Sequence, residues 1–450
     1  MTIRNCLITV GLTLTYAGVA LGAVSADKAS QLGKNLTLVG AEKAGNKDGS
    51  IPEYSGGLTT PPASYKKGSG IRPDPFEGEK PLYSINAKNM DKYAGELTEG
   101  AKALMKKYPT YRIDVYKTHR TAAFPKYVLD NTVKHATTAK TTNEGLSLTG
   151  AHAGYPFPIP QTGNEAMWNH QLRFNGLANE VNYRAFTVDR SGRATMQAEG
   201  NVSLEYAYYD PAKPDTKDYY GLRITYEGPP RRAGEALLIV DPIDFGKNAR
   251  RAWQYLPGQR RVKLAPDLSF DTPNATVGGA ATWDDLYLFS GSMERFNFKI
   301  IGKKELMIPY NDYKMAFFTK NEDLLKPHFL NPDVVRWEKH RVWVVEATLK
   351  PGKRHLYSKR VFYLDEDSWV AVASDAYDAR GQLFRVSFAY ITPAYEVPAP
   401  MNDIQGGYDL ISEQYFLNAW PAENRGGFRY TQKRPASDWT PESIASGGVR

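Results

Sequence analysis

The chain has 450 residues, one cysteine, and 57 Lys and Arg against 49 Asp and Glu, a formal charge of +8. That length buries a core without disulfide or metal staples, and a mean hydropathy of −0.50 excludes a multispan membrane protein. Its bases are scattered among acids and form no long runs, which argues against nucleic acid as a partner.

Arg4, the apolar run CLITVGLTLTYAGVALGAV and the small residues VSA make the pattern of a secretory signal peptide, residues 1–26, cleaved near Ala26. An uncleaved anchor needs about 20 apolar residues, and the Gly and Thr content of the run argues against it. Cys6 stands at the start of that run and away from the cleavage point, so it is no lipid attachment site. The mature chain then lacks cysteine, the commonest ligand of structural zinc.

Residues 27–110 read as an extended arm with a short helix. The stretch GAEKAGNKDGSIPEYSGG (40–57) is dense in glycine and charge, and PPASYKKGSGIRPDPFEGEKP (61–81) is too rich in proline for a helix or a central strand. Asn46, Asp48 and Ser50 alternate as oxygen donors beside Gly49, but Glu53 comes too early for a calcium loop, and a phosphate cradle lacks its strand and helix. A helix is expected over 98–107, with Thr98 as its cap, Leu97, Ala101, Leu104 and Met105 on one face, and Pro109 as its stop. Another starts in TGNEAMWNHQLRF, where Thr162 and Glu165 form a capping box and Trp168 and Leu172 stack one turn apart.

From about residue 180 the pattern becomes antiparallel strands. A turn at Ser191-Gly192 joins two runs in VNYRAFTVDRSGRATMQAE, and further hairpins are expected across PPRRAG, at Gly258 and at Gly302-Lys303. Connections of two to five residues join the runs VWVVEATL, YSKRVFYL, WVAVASDAYD and LFRVSFAY into a meander. In the last, Phe384, Val386, Phe388 and Tyr390 oppose Arg385 and Ser387, the period of a sheet with one apolar face. TWDDLYLFSG (282–291) is expected to cover such a face as a helix of one to two turns, capped by Thr282 and Asp285, with Leu286 and Phe289 on one side and Gly291 ending it.

Motifs for nucleophilic, zinc-peptidase, nucleotide or redox chemistry are absent, and no catalytic residue, metal ligand or cofactor is assigned. Asp114, His119 and Asp130 could build an acid–base site, although the same residues suit a polar network under a loop. His170 reads as an amphipathic helix residue.

The stretch 40–57 resembles the N-terminal hallmark of an exported Gram-negative family catalogued as a domain of unknown function and labelled "outer membrane lipoprotein-sorting protein". Further matches are DPFEGEKPLYSINAKN (74–89), KKYPTYRIDVYKTHRTAAFP (106–125), GYPFPIPQTGNEAMWNH (154–170), RRAWQYLPGQRRVKLAP (250–266), DDLYLFSGSMERFNFKIIGKKELMIPYN (284–311) and RVFYLDEDSWVAVASDAYDARGQLFRV (360–386). The resemblance implies a mainly β fold like the lipoprotein carriers LolA and LolB, an unclosed antiparallel barrel over 111–450 with short helices plugging its mouth. It also implies a periplasmic or outer-membrane-associated carrier of a hydrophobic molecule, a lipid, an acyl chain or a sterol-like compound. Inner-membrane exporters of the resistance-nodulation-division type and an outer-membrane protein are its implied partners. Candidate lining residues are Trp253, Tyr255, Trp283, Leu286, Phe289, Phe384, Val386 and Phe388. The competing readings are a non-catalytic scaffold, joined to its complex through the arm or an open sheet edge, and an envelope-polymer hydrolase using Asp114 and His119.

Overall fold

Hairpin follows hairpin along the chain, and their pairings merge into one sheet. The computed structural model describes residues 23–422 and 427–446, so most of the signal segment lies outside the described residues. In the N-terminal part come α1 (Ala26–Ala29), β1 (Tyr83–Asn86), α2 (Glu99–Lys107), β2 (Arg112–Val115), α3 (Lys126–Thr138), the small hairpin β3 (Lys140–Thr142) and β4 (Ser147–Thr149), and α4 (Gly163–Gln171). Then follow β5 (Ala178–Val188), β6 (Ala194–Glu205), β7 (Asp218–Gly228), β8 (Ala236–Pro242), β9 (Arg251–Leu256), β10 (Arg261–Leu264) and β11 (Phe296–Pro309). The last third holds β12 (Trp337–Leu349), β13 (Lys359–Asp365), β14 (Ala371–Tyr377), β15 (Leu383–Ala389), β16 (Gln405–Asp409), β17 (Tyr415–Trp420) and β18 (Phe428–Tyr430).

The strand order is β1-β2-β12-β13-β14-β15-β16-β17-β5-β6-β7-β8-β9-β10, with β11 on β12 and β18 on β5. Strand pairing is antiparallel throughout except for one parallel pair, Trp337 of β12 with Val115 of β2. Among the described residues no pairing returns β10 to β1 or β11, so the sheet stays open, as expected. The arm also enters it, because β1 lies before residue 111 and pairs with β2.

Most expected hairpins are present. At Ser191-Gly192 the Asp189 carboxylate accepts from the Ser191 and Arg193 amides, and Gly192 takes φ +84°. Gly302-Lys303 is different. It is a bulge inside the single long strand β11, with the register on β12 slipping between Ile300 and Gly302. A bulge and a turn both need a permissive residue between apolar runs, so the local sequence does not separate them.

Side chains alternate between two covered faces. Val345, Ala347, Phe362 and Leu364 pack with residues of α3 and α4, while Val344, Val342 and Tyr363 pack with residues of α2. α2 is capped as expected, Thr98 Oγ1 accepting from the Ala101 amide at 3.0 Å. Leu97, Ala101, Leu104 and Met105 are all buried. Gly100 sets how closely this helix approaches, since a Cβ there would lie 2.3 Å from Asp375 Oδ1 and 2.4 Å from Val386.

Residues 40–57 form a strap across the sheet. The buried Arg120 donates to the carbonyls of Glu42 (2.7 Å), Lys43 (3.2 Å) and Pro52 (3.3 Å), and bidentately to Asp367 at 2.6 and 2.8 Å. Arg341 donates to Ala44 O at 2.9 Å and Lys339 to Asp48 at 3.2 Å. Gly40 (φ +92°) lies so near Pro158 O that a Cβ would come to 1.7 Å. Asp48 Oδ1 accepts from the Ser50 amide and hydroxyl, and Asn46 Oδ1 from the Ile51 amide. Those oxygens close a turn.

Under α2, burial raises the Asp375 carboxyl from 3.8 to about 7, against a hydrogen bond from Tyr363 Oη. The folded protein therefore holds this proton more tightly than the unfolded chain does, and stability falls as pH rises from 3.8 to 7, by at most ~4 kcal/mol. Asp375→Asn removes that component. Thermal melts at pH 4 and pH 8 should show the variant gaining on wild type at pH 8 and little at pH 4.

Candidate functional site

The segment expected to be a covering helix is a kinked plug. Trp283 begins a single 3₁₀ turn, and the capping box between Thr282 and Asp285 is formed. Beyond it, Leu286 is extended, and Tyr287 (φ 57°, ψ 26°) and Leu288 (φ 68°) are left-handed. Leu286 and Phe289 thus share no helical face. Distant groups impose this path: Gln405 accepts from the Tyr287 amide at 2.6 Å and donates to Asp285 O at 3.0 Å. The Arg173 guanidinium lies 4.0 Å from the Tyr287 ring centroid. Left-handed non-glycine residues cost of order 1–3 kcal/mol each and persist only when the surroundings over-determine them.

Asp285 is the plug's anchor. It accepts from Tyr357 Oη at 2.7 Å and from Arg360 at 2.8 Å, and Arg360 also donates to Leu288 O. Next to it, burial works against ionisation of Asp284, but Arg360, His355 and Thr282 outweigh it and hold that carboxyl low. His170, fully buried on α4, bonds to Phe289 O through Nε2 at 3.2 Å and accepts the Ala371 amide at Nδ1.

Behind the plug is an apolar recess of about 40 Å³. Val181, Tyr183, Val202, Leu204, Leu222 and Ile224 of β5, β6 and β7 form its wall, and Trp283, Leu286 and Tyr287 stand across it. A space this size holds a water but is far below the 300–1,000 Å³ of an ordinary ligand pocket. Three buried polar atoms of lining residues, Tyr183 Oη, Trp283 Nε1 and Asn418 Oδ1, have no hydrogen-bond partner among the described residues.

The eight expected lining residues are divided among three places. Trp283 and Leu286 line the recess. Phe289 and Phe384 belong to the same core, Phe289 against Phe298 and Phe362, and Phe384 against Tyr357. Trp253 and Tyr255 face the opposite side of β9, packed with Ile444 and Trp439 of the C-terminal segment. Val386 and Phe388 lie on the α2 face, where Phe388 meets Trp337.

Asp114, His119 and Asp130 form no common site. Asp114 accepts from Ser84 and pairs with Arg112, His119 pairs with Glu79 at 2.8 Å, and Asp130 is held by Lys126 on the exposed face of α3. Asp114 and Glu79 line a polar cleft of about 880 Å³, in which Arg336 covers the rings of Phe76 and Tyr116. Sequence reasoning missed the recess wall on β5–β7. Its signal was the alternation of Val202 with Leu204 and of Leu222 with Ile224 on neighbouring strands.

Fold and site define an open antiparallel sheet, covered on both faces, with a strapped N-terminal arm and a plugged apolar recess. The chain belongs to the family described as "Protein of unknown function (DUF1329)", whose model matches residues 84–445. The strap at 40–57 lies ahead of that span. An uncharacterized Pseudomonas aeruginosa protein is 41% identical over 445 residues, covering 96% of this chain and 95% of its own. Among solved structures, a Vibrio parahaemolyticus domain bearing the name of an outer membrane lipoprotein-sorting protein is 14% identical, covers 62% of this chain and 97% of its own, with a TM-score of 0.43. A DUF1329 family protein from Desulfovibrio piger is 13% identical, with 62% and 95% covered and a TM-score of 0.42. A LolA superfamily protein from Nitrosomonas europaea is 11% identical, with 62% and 98% covered and a TM-score of 0.35. Among the described residues no helix is long and apolar enough to cross a membrane.

Burial lowers the His170 imidazole from 6.5 to about 3. Its contribution to stability is therefore complete above pH 6.5 and is lost as pH falls toward 3. Urea unfolding at pH 7 and pH 4.5 should show His170→Gln weaker than wild type at pH 7 by about 1–2 kcal/mol. The gap should narrow at pH 4.5.

Proposed function

We propose that the protein is a non-catalytic carrier of an amphipathic hydrophobic molecule in the cell envelope. The observation behind this reading is the recess: six side chains of three adjacent strands face a space closed by one strained turn, where three buried polar atoms have no partner among the described residues. In the described conformation the chain fills most of that space itself, so cargo enters by displacing Trp283 and Leu286. A hydroxyl or carboxyl head group both accepts from Trp283 Nε1 and donates to Asn418 Oδ1. The apolar tail replaces the plug against β5–β7. No nucleophile is needed, since each methylene leaving water contributes ~0.8 kcal/mol. In this reading residues 1–26 are removed on export, and the arm at 27–110 secures the β unit at 111–450. Cargo passes to or from an inner-membrane exporter and an outer-membrane partner.

A fluorescent fatty acid titrated into the purified protein tests the reading. Saturable binding is expected, displaced by unlabelled chains with affinity rising about fourfold per methylene. Ile224→Trp, which fills the recess, should weaken binding at least tenfold, and Gln405→Ala, which unlatches Tyr287, should speed uptake. Absence of saturable binding in both wild type and Gln405→Ala overturns it.

A further inference from the structure

A second constellation lies in the buried network between the strap and β12–β13, away from the recess. β12 carries Glu338, Lys339, His340 and Arg341 in succession, all buried. The turn after β13 adds Glu366 and Asp367 to Asp365, all at most 2% exposed. Glu338 is ringed by donors: Arg336 Nε at 2.6 Å, the His119 amide at 2.8 Å and Asn311 at 2.9 Å. Paired with Arg336, this carboxylate only accepts, so the proton in its 3.1 Å bond to His340 sits on Nε2. In the neutral ring Nδ1 is then a bare lone pair.

That lone pair looks toward Asp365 Oδ1, 3.9 Å away. Asp365 is 0% exposed, and this oxygen receives no hydrogen bond from any described residue. Its other oxygen accepts from Ser368 at 2.5 Å and Tyr310 at 3.2 Å, which fixes the carboxylate's orientation. A carboxylate oxygen of Asp367 completes the group, all three donor atoms lying within 4.8 Å of one another. Asp367 is also bound by Arg120, but each of its oxygens keeps a further lone pair. Two acceptors facing one another in a dry interior repel unless something positive lies between them. A carboxylate behind the imidazole, a nitrogen in front and carboxylates opposite is how proteins orient a metal-binding histidine. Donors of one tetrahedral ion at about 2.1 Å stand ~3.4 Å apart, against 3.9 Å between His340 Nδ1 and Asp365 Oδ1 and at most 4.8 Å to the third donor, so the group closes inward when it takes the ion.

Among the described residues Asp365 has no Lys or Arg partner, its one basic neighbour within 4 Å being His340. Arg120, Arg336, Arg341 and Lys303 pair with Glu338, Glu366 and Asp367, and the same bases are shared with Glu42, Glu79 and Glu305 at the rim.

We propose that His340 Nδ1, Asp365 Oδ1 and Asp367 bind one divalent first-row metal ion of the zinc or manganese class, a structural ion sealed in by the strap. One nitrogen and two carboxylate oxygens suit that class better than the oxygen-only preference of calcium or magnesium. With every donor buried, loading accompanies folding, and stability reports it.

The test refolds the full chain from denaturant with zinc chloride, with manganese chloride or with EDTA, desalts it and measures metal content and melting temperature. One equivalent of zinc or manganese retained, with a melting temperature several degrees above the EDTA sample, is expected. Asp365→Asn, nearly isosteric, should lose retention at least tenfold, whereas exposed Asp130→Asn should keep it. Cobalt substitution of wild type should give a visible absorption band, a readout independent of any variant's folding. The proposal is overturned if wild type refolds equally well in EDTA and retains no metal, or if Asp365→Asn retains as much as wild type. Neither result bears on the recess.

Discussion

Buried guanidinium groups hold the segments that cover this sheet. Arg120 grips three strap carbonyls and Asp367. Arg360 grips Asp285 and Leu288 O of the plug, and Arg173 stacks on Tyr287 while bonding Asn402. Arg250 ties Asp241 on β8 to Leu268 O and Ser290 on either side of the plug, and Arg72 ties the arm to Glu396. A planar fork with five donors satisfies a carboxylate and irregular backbone together. Loops crossing a large sheet carry carbonyls that no ladder can pair, so these forks meet a need that aliphatic packing leaves open. A buried pair of this kind is costly to form but costs about 3–5 kcal/mol to break from one side. Among the described residues seven arginines and Lys339 are turned inward and buried.

The same logic shapes the recess. Its wall is ordinary strand alternation, but its cover is a turn pulled out of helical geometry by Gln405 and Arg173. The cover is therefore held by polar contacts at its margin more than by its own secondary structure. Contacts of that kind exchange with water or with a head group at small net cost, while the apolar wall behind them stays intact.

Sequence pattern carried the sheet well. Period-two alternation and glycine or aspartate turns located β5 to β10 and the meander from β12 to β15, and Thr98 located α2. Three features were not legible for physical reasons. Gly302 has the chemistry of a turn, and only its pairing with the distant Val344 makes it a bulge. Over Tyr287, local propensity favours continued helix and tertiary hydrogen bonds override it. α3 was passed over because Val128, Thr132, His135 and Ala136 form its buried stripe with little apolar bulk. The buried polar network did leave a trace: Glu338-Lys339-His340-Arg341 interrupts an apolar strand, a sign that charge was being taken inside. For the candidate lining residues, strand parity placed Trp253 with Tyr255 and Val386 with Phe388, but which face of the sheet each pair occupies depends on register and bulges far from them.

The strap leaves the ribosome first and finds its partners last. Glu42 meets Glu366 across 324 positions, and Ala44 meets Arg341 across 297. Arg120 is made soon after the strap, but until the final third of the chain has been made, residues 40–57 lack their partners on β12 and in the turn after β13. Synthesis therefore leaves this segment only partly held until β12 and β13 are made, open to proteases and to holding chaperones, and full closure of the strap waits for them.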